Sequence, residues 1–193
     1  MLGLKLPTDP RWVNIVEKNL DEILTDHAYC EQKAATNSIN LIIQYPDIPE
    51  LVEAMLELAR EELSHFQMVH EKIRERNLVL GRERRDDYVY ELNQFIRKGH
   101  ARNIVLCDRL LFSALVEARS CERFKLLSEN INDPELREFY RELMISEANH
   151  YTMFIGLAKK YATDVDVDQR WKEFLEYEAQ IIGKYGKKET IHG

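Results

Sequence analysis

Apolar side chains recur at steps of three and four along most of this 193-residue chain. Such spacing brings them to one face of an α-helix, so the pattern predicts a protein built from amphipathic helices. Pro10, Pro49 and Pro134 each mark the first turn of a helix, where proline is well tolerated. The predicted helices cover residues 10–44, 49–77, 86–98, 102–130, 134–161 and 167–183. The sequence therefore predicts an all-α protein in which a long crossover, residues 77–101, joins two helical hairpins and carries a short helix.

Two of the apolar stripes contain a glutamate and a histidine three residues apart. Glu62 and His65 occupy stripe positions in one helix, and Glu147 and His150 occupy them in another. A charged residue on an apolar stripe points toward the core of the protein rather than toward solvent. The pattern therefore predicts two buried Glu-x-x-His pairs.

Each of the helices that precede these pairs carries one glutamate on its own apolar stripe, Glu31 in the first hairpin and Glu117 in the second. A competing choice is Glu122, which follows Cys121 just as Glu31 follows Cys30. Five residues correspond to about 500° of helical rotation, which turns Glu122 roughly 140° away from the face of Glu117. Glu117 is therefore the preferred candidate.

An internal repeat supports the same pairing. Glu62 lies thirteen residues after Pro49, and Glu147 lies thirteen residues after Pro134. The lone glutamates precede these prolines by eighteen and seventeen residues. Two hairpins with arms of nearly equal length therefore place each lone glutamate opposite its own Glu-x-x-His pair.

Four carboxylates in a helical core require compensation, because an isolated buried charge is strongly destabilising. Two divalent cations would cancel the four negative charges, and oxygen ligands with imidazole suit iron or manganese better than a soft metal. The same inward-facing set is described for di-iron and di-manganese four-helix bundles. The predicted ligands are Glu31, Glu62, His65, Glu117, Glu147 and His150. The alternative is a pair of hydrogen-bonded His–Glu core contacts without metal.

The composition describes one globular domain over residues 1–193, with 45% hydrophobic and 32% charged residues. No apolar run approaches the ~20 residues that span a bilayer, so no membrane contact is predicted. The N-terminus lacks the layout of a signal peptide, which predicts a cytoplasmic protein. The three cysteines show no C-x-x-C spacing and are predicted to be reduced, packed thiols.

The net charge of −7 argues against a general nucleic-acid binder, but the basic residues are unevenly distributed. Residues 97–125 contain seven basic and three acidic side chains, and three more arginines lie in the crossover. A phosphate backbone could be held there by charge neutralisation. The candidate contacts are Arg82, Arg84, Arg85, Arg97, Lys98 and Arg102. The alternative is a solvated helix face with internal ion pairs.

Around the predicted ligands, the sequence resembles the ferritin-like superfamily and, within it, the bacterial tRNA 2-methylthio-N6-isopentenyladenosine hydroxylases. The resemblance runs from Trp12 to about Gly186. It is carried by the segments DHAYCEQKAA (26–35), EELSHF (61–66), EARSCERF (117–124) and SEANHY (146–151). It implies a ferritin-like four-helix bundle with a short crossover helix and an extra C-terminal helix.

The resemblance also implies an activity. Members of this family hydroxylate the isopentenyl group of a modified adenosine in tRNA, using O2 and two iron ions. The implied partners are the tRNA substrate and an external electron-donor reductase, and the implied functional residues are the metal ligands alone. Glu62 and Glu147 are the implied bridging ligands.

Three other enzyme classes use the same ligands. A ferroxidase would form a hollow multi-subunit shell, and a rubrerythrin-like peroxidase usually adds a module with paired C-x-x-C, which this chain lacks. A quinone-ring hydroxylase would show an exposed membrane-binding apolar face. A metal-binding protein without enzymatic activity is a further alternative.

The sequence assigns no hydrogen-bond partner to the two ligand histidines. Many ferritin-like oxygenases place arginine directly before the ligand histidine, whereas Ser64 and Asn149 stand there in this chain. His27, one turn before Glu31, is either an outer partner of that ligand or a hydrogen-bonded core histidine. The second interpretation is favoured because it is the more common one.

Overall fold

The computed structural model describes residues 2–185 and 190–192, and within them the chain forms seven α-helices and no β-strand. The helices are α1 (Trp12–Lys18), α2 (Leu20–Gln44), α3 (Pro49–Glu75), α4 (Asp87–Asn93), α5 (Arg102–Asn130), α6 (Pro134–Tyr161) and α7 (Val167–Tyr185). The all-α prediction is therefore confirmed. In this part of the chain, no helix has both the length and the apolar composition that crossing a membrane requires.

Two predicted helices differ from those observed. The stretch predicted as one helix over 10–44 is divided at Asn19, whose backbone has a φ of −134° and a ψ of 45°. Asparagine competes with helix formation because its side chain offers the backbone other hydrogen bonds. The short helix predicted over 86–98 ends at Asn93, and the N–H groups of residues 94–96 bond to carbonyls three residues back rather than four.

The described residues divide into two compact units. The α2–α3 unit contains residues 18–84 and 190–191, and the α5–α6 unit contains residues 2–17, 85–185 and 192. The sequence predicts a single domain over residues 1–193.

In the α2–α3 unit, two long helices pack along each other across a short turn. Leu24 and Leu41 on α2, and Leu51 and Met55 on α3, are almost completely buried. Burial of each such side chain contributes about 1.5–3 kcal/mol relative to leaving it exposed. The apolar stripes of the two helices therefore face each other, as the sequence pattern predicts.

The segment that follows α3 is held against α2 through Gly81. The Tyr29 hydroxyl donates to the Gly81 carbonyl at 3.1 Å, and the Gly81 N–H donates to the Thr25 hydroxyl at 3.2 Å. A Cβ at Gly81 would lie 3.2 Å from the Thr25 methyl group, so the close approach favours glycine. This contact fixes the start of the crossover.

In the α5–α6 unit, α5 and α6 pack along each other in the same way. The Asp133 carboxylate caps α6 by accepting hydrogen bonds from the N–H groups of Glu135 and Leu136, at 2.9 and 3.2 Å. The rings of Phe124 and Tyr140 meet in the core with centroids 5.4 Å apart. The cap and the apolar core together set the register of the hairpin.

Buried ion pairs hold α7 to α5. Asp108 on α5 accepts two hydrogen bonds from Arg170 on α7, and Arg97 donates three more to the same carboxylate. Nearer the other end of α7, Arg119 on α5 donates from Nε to Glu178 at 3.0 Å. The last helix is therefore fastened to α5 at two points.

The C-terminal end of the chain also contacts α5. His192 is buried, with Nδ1 2.9 Å from the Asp86 carboxylate and Nε2 3.0 Å from the Ser120 hydroxyl. Its ring stacks on Tyr88 with centroids 6.0 Å apart. The sequence gives no indication of these contacts.

Candidate metal centre

The α2–α3 unit brings together three of the six predicted ligands. Glu31 comes from α2, and Glu62 and His65 come from successive turns of α3. Nδ1 of His65 lies 3.4 Å from a carboxylate oxygen of Glu62 and 3.8 Å from one of Glu31. One donor atom from each of the three residues lies within 4.8 Å of the others. These three residues form a compact donor set, here named the α2–α3 half-site.

His65 provides the positive charge of this half-site. Burial lowers the pKa of the His65 imidazole, but interactions with Glu31 and Glu62 outweigh burial and raise the pKa to about 10. Burial would raise the pKa of the Glu31 carboxyl, yet the hydrogen bond with His27 and the nearby His65 imidazole hold that pKa below its usual value. At neutral pH a protonated imidazole therefore lies beside ionised carboxylates, and a divalent cation would take the place of that proton.

The α5–α6 unit builds a second donor set of the same design. Glu117 comes from α5, and Glu147 and His150 come from α6. Nδ1 of His150 lies 3.9 Å from an oxygen of Glu117, and the three residues again offer donor atoms within 4.8 Å of one another. These residues form the α5–α6 half-site. No residue of either half-site exposes more than 6% of its surface, which excludes a solvated helix face as their role.

Both histidines turn Nδ1 toward the carboxylates and Nε2 toward another partner. Nε2 of His65 lies 3.9 Å from a carboxylate oxygen of Glu61, and Nε2 of His150 lies 3.3 Å from the Ser146 hydroxyl. Each partner precedes its histidine by four residues. The Ser146 contact is within hydrogen-bond distance and can orient the imidazole, whereas the exposed Glu61 carboxylate is too far for a hydrogen bond and acts on its imidazole through charge.

The residues directly before the two histidines do not provide this support. Ser64 and Asn149 are both exposed, because adjacent residues on a helix point about 100° apart. The sequence analysis did not identify Glu61 and Ser146 as neighbours of the ligand histidines. Their position four residues before each histidine is a signal that could have found them. Side chains four residues apart lie over one another on the same face.

His27 combines the two roles that the sequence treated as alternatives. It is fully buried, and its Nε2 lies 2.7 Å from Oε1 of Glu31. It is therefore a hydrogen-bonded core histidine whose partner is the predicted ligand itself. The contact engages one oxygen of Glu31, while the other oxygen faces His65.

Glu122 is turned to other partners, as helical rotation predicts. Its carboxylate accepts hydrogen bonds from the N–H and the hydroxyl of Thr8, at 2.9 and 2.6 Å, and from Arg119 at 2.9 Å. These bonds fasten the N-terminal segment to α5. Glu122 is thus occupied in a structural contact.

The six basic residues predicted to contact tRNA differ in their surroundings. In the α2–α3 unit, Arg82 and Arg84 are exposed. In the α5–α6 unit, Arg85, Lys98 and Arg102 are exposed. None of the five is buried, but two of them pair with a carboxylate, Arg84 with Glu22 and Arg85 with Asp87 at 3.0 Å.

Arg97 differs from these five residues because its guanidinium donates to the buried Asp108 carboxylate, at 2.7 and 3.0 Å.

The Arg85 guanidinium stands 3.9 Å over the ring of Tyr90, which is 54% exposed. An exposed aromatic ring beside a guanidinium is suited to stacking with an unpaired base. The sequence did not single out Tyr90.

The donor chemistry of the half-sites fits a metal ion. Each offers two carboxylates and one imidazole, so each carries two negative charges when its histidine is neutral. That charge matches one divalent cation, and hard oxygen donors with imidazole are typical ligands of iron and manganese. The residues present therefore fit the metal that the sequence predicts.

Two bacterial proteins are similar to the chain over most of its length. It is 35% identical over 164 residues to the tRNA 2-(methylsulfanyl)-N(6)-isopentenyladenosine(37) hydroxylase of Pseudomonas putida, covering 85% of this chain and 78% of that protein. It is 28% identical to the protein of the same name from Salmonella typhimurium, and the match covers 93% of this chain and 83% of that protein.

A solved structure has the same fold. It is described as "Protein 43 with aldehyde deformylating oxygenase activity from Synechococcus", and it is 34% identical to this chain. The two superpose with a TM-score of 0.91, covering 98% of this chain and 95% of the other. The ferritin-like fold class predicted from the sequence is confirmed.

A family model matches nearly the entire sequence. The family is described as tRNA-(MS[2]IO[6]A)-hydroxylase (MiaE), and the match covers residues 2–193. It includes both half-sites and every segment that carried the resemblance. The chain therefore belongs to this family of tRNA hydroxylases.

Proposed function

We propose that this protein is an O2-dependent iron monooxygenase that hydroxylates the isopentenyl group of 2-methylthio-N6-isopentenyladenosine in tRNA. The observation that carries the proposal is the pair of buried half-sites in a chain of the tRNA hydroxylase family. The names of the relatives from Pseudomonas putida and Salmonella typhimurium specify the same nucleoside. The proposed location is the cytoplasm, where tRNA is modified.

The proposal assigns the ligands to two iron ions. One ion would be held by Glu31, Glu62 and His65 of the α2–α3 half-site, and the other by Glu117, Glu147 and His150 of the α5–α6 half-site. When bound, iron supplies the redox chemistry by which O2 reacts with an unactivated carbon. The residues of the chain bind and orient the metal, and their burial keeps bulk water from the reacting atoms.

Hydroxylation also needs electrons and a docked substrate. One oxygen atom of O2 enters the C–H bond and the other leaves as water, which consumes two electrons and two protons. We assign the electrons to a separate reductase, because the sequence contains no flavin or nicotinamide motif. We assign the tRNA backbone to the exposed basic side chains near the crossover, where counterion release would favour binding.

Mass spectrometry of nucleosides tests the proposal. The substrate is tRNA that carries 2-methylthio-N6-isopentenyladenosine, incubated with iron-loaded protein, O2 and an electron-donor system. We expect this nucleoside to gain one oxygen atom. The Glu62→Ala variant should give no product, whereas Glu57→Ala, which removes an exposed glutamate from the same helix, should retain activity.

A specific result would overturn the proposal. If iron is bound and shown to be reduced, and the nucleoside still gains no oxygen, the protein does not hydroxylate this substrate. Metal content and the absorption spectrum of the same sample separate this outcome from a failure to load iron.

A second candidate reaction comes from the Synechococcus protein, whose description names aldehyde deformylating oxygenase activity. Its 34% identity to this chain makes aldehyde deformylation the alternative to test. Incubation of the same iron-loaded sample with a long-chain aldehyde would yield a hydrocarbon one carbon shorter if this alternative holds. The tRNA reaction is preferred because the family model and both named relatives point to it.

A further inference from the structure

The residues one helical turn before the metal ligands differ between the two half-sites. Each stands four residues before a ligand glutamate or a ligand histidine, and they are here named the outer residues. The outer residues are His27 and Glu61 in the α2–α3 half-site and Ser113 and Ser146 in the α5–α6 half-site. The internal repeat therefore preserves the ligands but not the side chains behind them.

In the α2–α3 half-site, both outer residues can ionise. Nε2 of His27 lies 2.7 Å from one oxygen of Glu31, while the other oxygen of Glu31 faces Nδ1 of His65 at 3.8 Å. Glu61 lies 3.9 Å from Nε2 of the same imidazole. The four side chains form an alternating row, His27 to Glu31 to His65 to Glu61, that runs through the half-site.

In the α5–α6 half-site, both outer residues are neutral serines. The Ser146 hydroxyl lies 3.3 Å from Nε2 of His150, and Ser113 occupies the buried position one turn before Glu117. A hydroxyl can donate or accept a hydrogen bond, so it does not select which imidazole nitrogen carries the proton. The Glu61 carboxylate, 3.9 Å from Nε2 of His65, is too far for a hydrogen bond, but when ionised its charge favours a proton on that nitrogen, which leaves the Nδ1 lone pair for a metal.

We propose that the α2–α3 half-site binds a divalent metal ion more tightly than the α5–α6 half-site, so that the centre fills in a fixed order. Glu61 and His27 are the positioning residues that create this difference. The inference rests on the metal centre proposed above and deepens it, because it distinguishes two positions that the ligands alone make equivalent.

Two physical effects act in the same direction. With neutral histidines, the α2–α3 half-site and its outer residues hold three carboxylates, whereas the α5–α6 half-site holds two, so a dication is attracted more strongly to the first. His27 also holds Glu31 in place before the metal arrives, which reduces the reorganisation that binding requires. Losing an outer partner of a metal ligand typically costs about 10- to 100-fold in metal affinity.

Titration of the metal-free, full-length protein with Mn(II) tests the inference, with free Mn(II) followed by electron paramagnetic resonance. We expect two equivalents per chain, the first bound at least about tenfold more tightly than the second. Glu31→Ala should remove the tight equivalent, and Glu117→Ala should remove the weak one. These glutamates are chosen because each belongs to one half-site and neither is a bridging ligand that the family resemblance implies.

A second set of variants tests the outer residues directly. Glu61→Gln keeps the size of the side chain but removes its charge, and Glu61→Ser copies the other half-site. Affinity of the tight equivalent should fall in Glu61→Gln and fall further in Glu61→Ser, while the weak equivalent stays unchanged. Glu57→Gln, one turn before Glu61 on α3 and exposed, is the matched control and should bind as the unmodified protein does.

Several outcomes would overturn the inference. One is that the two Mn(II) ions bind with equal affinity. Another is that Glu31→Ala still binds Mn(II) tightly. A third is that the Glu61 and Glu57 variants bind Mn(II) identically. A chain that binds no Mn(II) and no Fe(II) would overturn both the inference and the metal centre. Ordered binding without hydroxylation of tRNA would support the inference and remove only the proposed substrate.

Discussion

Arg170 on α7 and Asp108 on α5 form an ion pair with two hydrogen bonds, both 2.9 Å long. Asp108 is completely buried, and its carboxylate also accepts three hydrogen bonds from Arg97. Removing one member of a buried pair is costly because the remaining charge is left without compensation. This contact makes α7 an integral part of the α5–α6 unit.

Replacement of Asp108 by asparagine should therefore destabilise the protein. We expect the free energy of unfolding to fall by about 3–5 kcal/mol, the usual cost of breaking a buried ion pair. Urea denaturation followed by circular dichroism measures the change. Asp168→Asn is the control, because Asp168 pairs with Lys159 at the surface and such pairs contribute about 0–1 kcal/mol. Equal losses in the two variants would contradict the prediction.

The same pair predicts a dependence of stability on pH. Burial would raise the pKa of the Asp108 carboxyl, but hydrogen bonds from Arg170 and Arg97 hold it below its usual value. A carboxyl with a lowered pKa in the folded state stabilises the protein above its unfolded-state pKa of about 3.9, and this contribution is lost as the pH falls through the folded-state value. The stability difference between the unmodified protein and Asp108→Asn should therefore be constant from about pH 5 to pH 8.

Below about pH 4 this difference should shrink, because protonation removes the charge that the substitution removes. Urea denaturation of both proteins at each pH, in a common buffer mixture, gives the measurement. A difference that grows on acidification would show that Asp108 is not ionised in the folded protein.

Much of the site could be predicted from the sequence because helix periodicity exposes charged residues that face inward. Glu62 and His65 lie on an apolar stripe, and the structure buries both. The prediction that Glu122 does not share a helix face with Glu117 also needs no tertiary information, because successive residues turn about 100° around the axis of any regular helix. Such predictions need only the geometry of a single helix.

Contacts between distant parts of the chain could not be predicted in this way. The pairing of Arg119 with Glu178 joins residues 59 positions apart, and His192 reaches Asp86 across 106 positions. No spacing rule connects such residues, because their meeting depends on how whole helices pack. The break at Asn19 is a different case, since asparagine lowers helix propensity without forbidding the helix.

The two neighbouring basic residues Arg97 and Lys98 should affect tRNA binding differently. Lys98 is exposed, whereas the Arg97 guanidinium is engaged by the buried Asp108. We expect Lys98→Ala to weaken tRNA binding and to reduce the slope of log K against log salt concentration by about 1, as the loss of one phosphate contact does. Fluorescence anisotropy with labelled tRNA at several salt concentrations provides both values.

Arg97→Ala should instead lower the free energy of unfolding and leave the salt slope unchanged. Comparison of the two variants in both assays therefore separates a phosphate contact from a structural ion pair. A salt slope that falls in Arg97→Ala but not in Lys98→Ala would contradict this assignment.

Metal content separates the two candidate glutamates on α5. Glu117 lies beside His150, with 3.9 Å between the carboxylate and Nδ1, whereas Glu122 accepts hydrogen bonds from Thr8 and Arg119. Glu117→Ala should bind no more than one iron ion per chain, because the α5–α6 half-site loses a carboxylate. Glu122→Ala should retain two ions while its free energy of unfolding falls by about 1–3 kcal/mol, the cost of leaving buried donors without an acceptor. Elemental analysis measures the iron content of both variants, and urea denaturation of the same samples measures their stability. Equal loss of iron from the two variants would remove Glu117 from the ligand set.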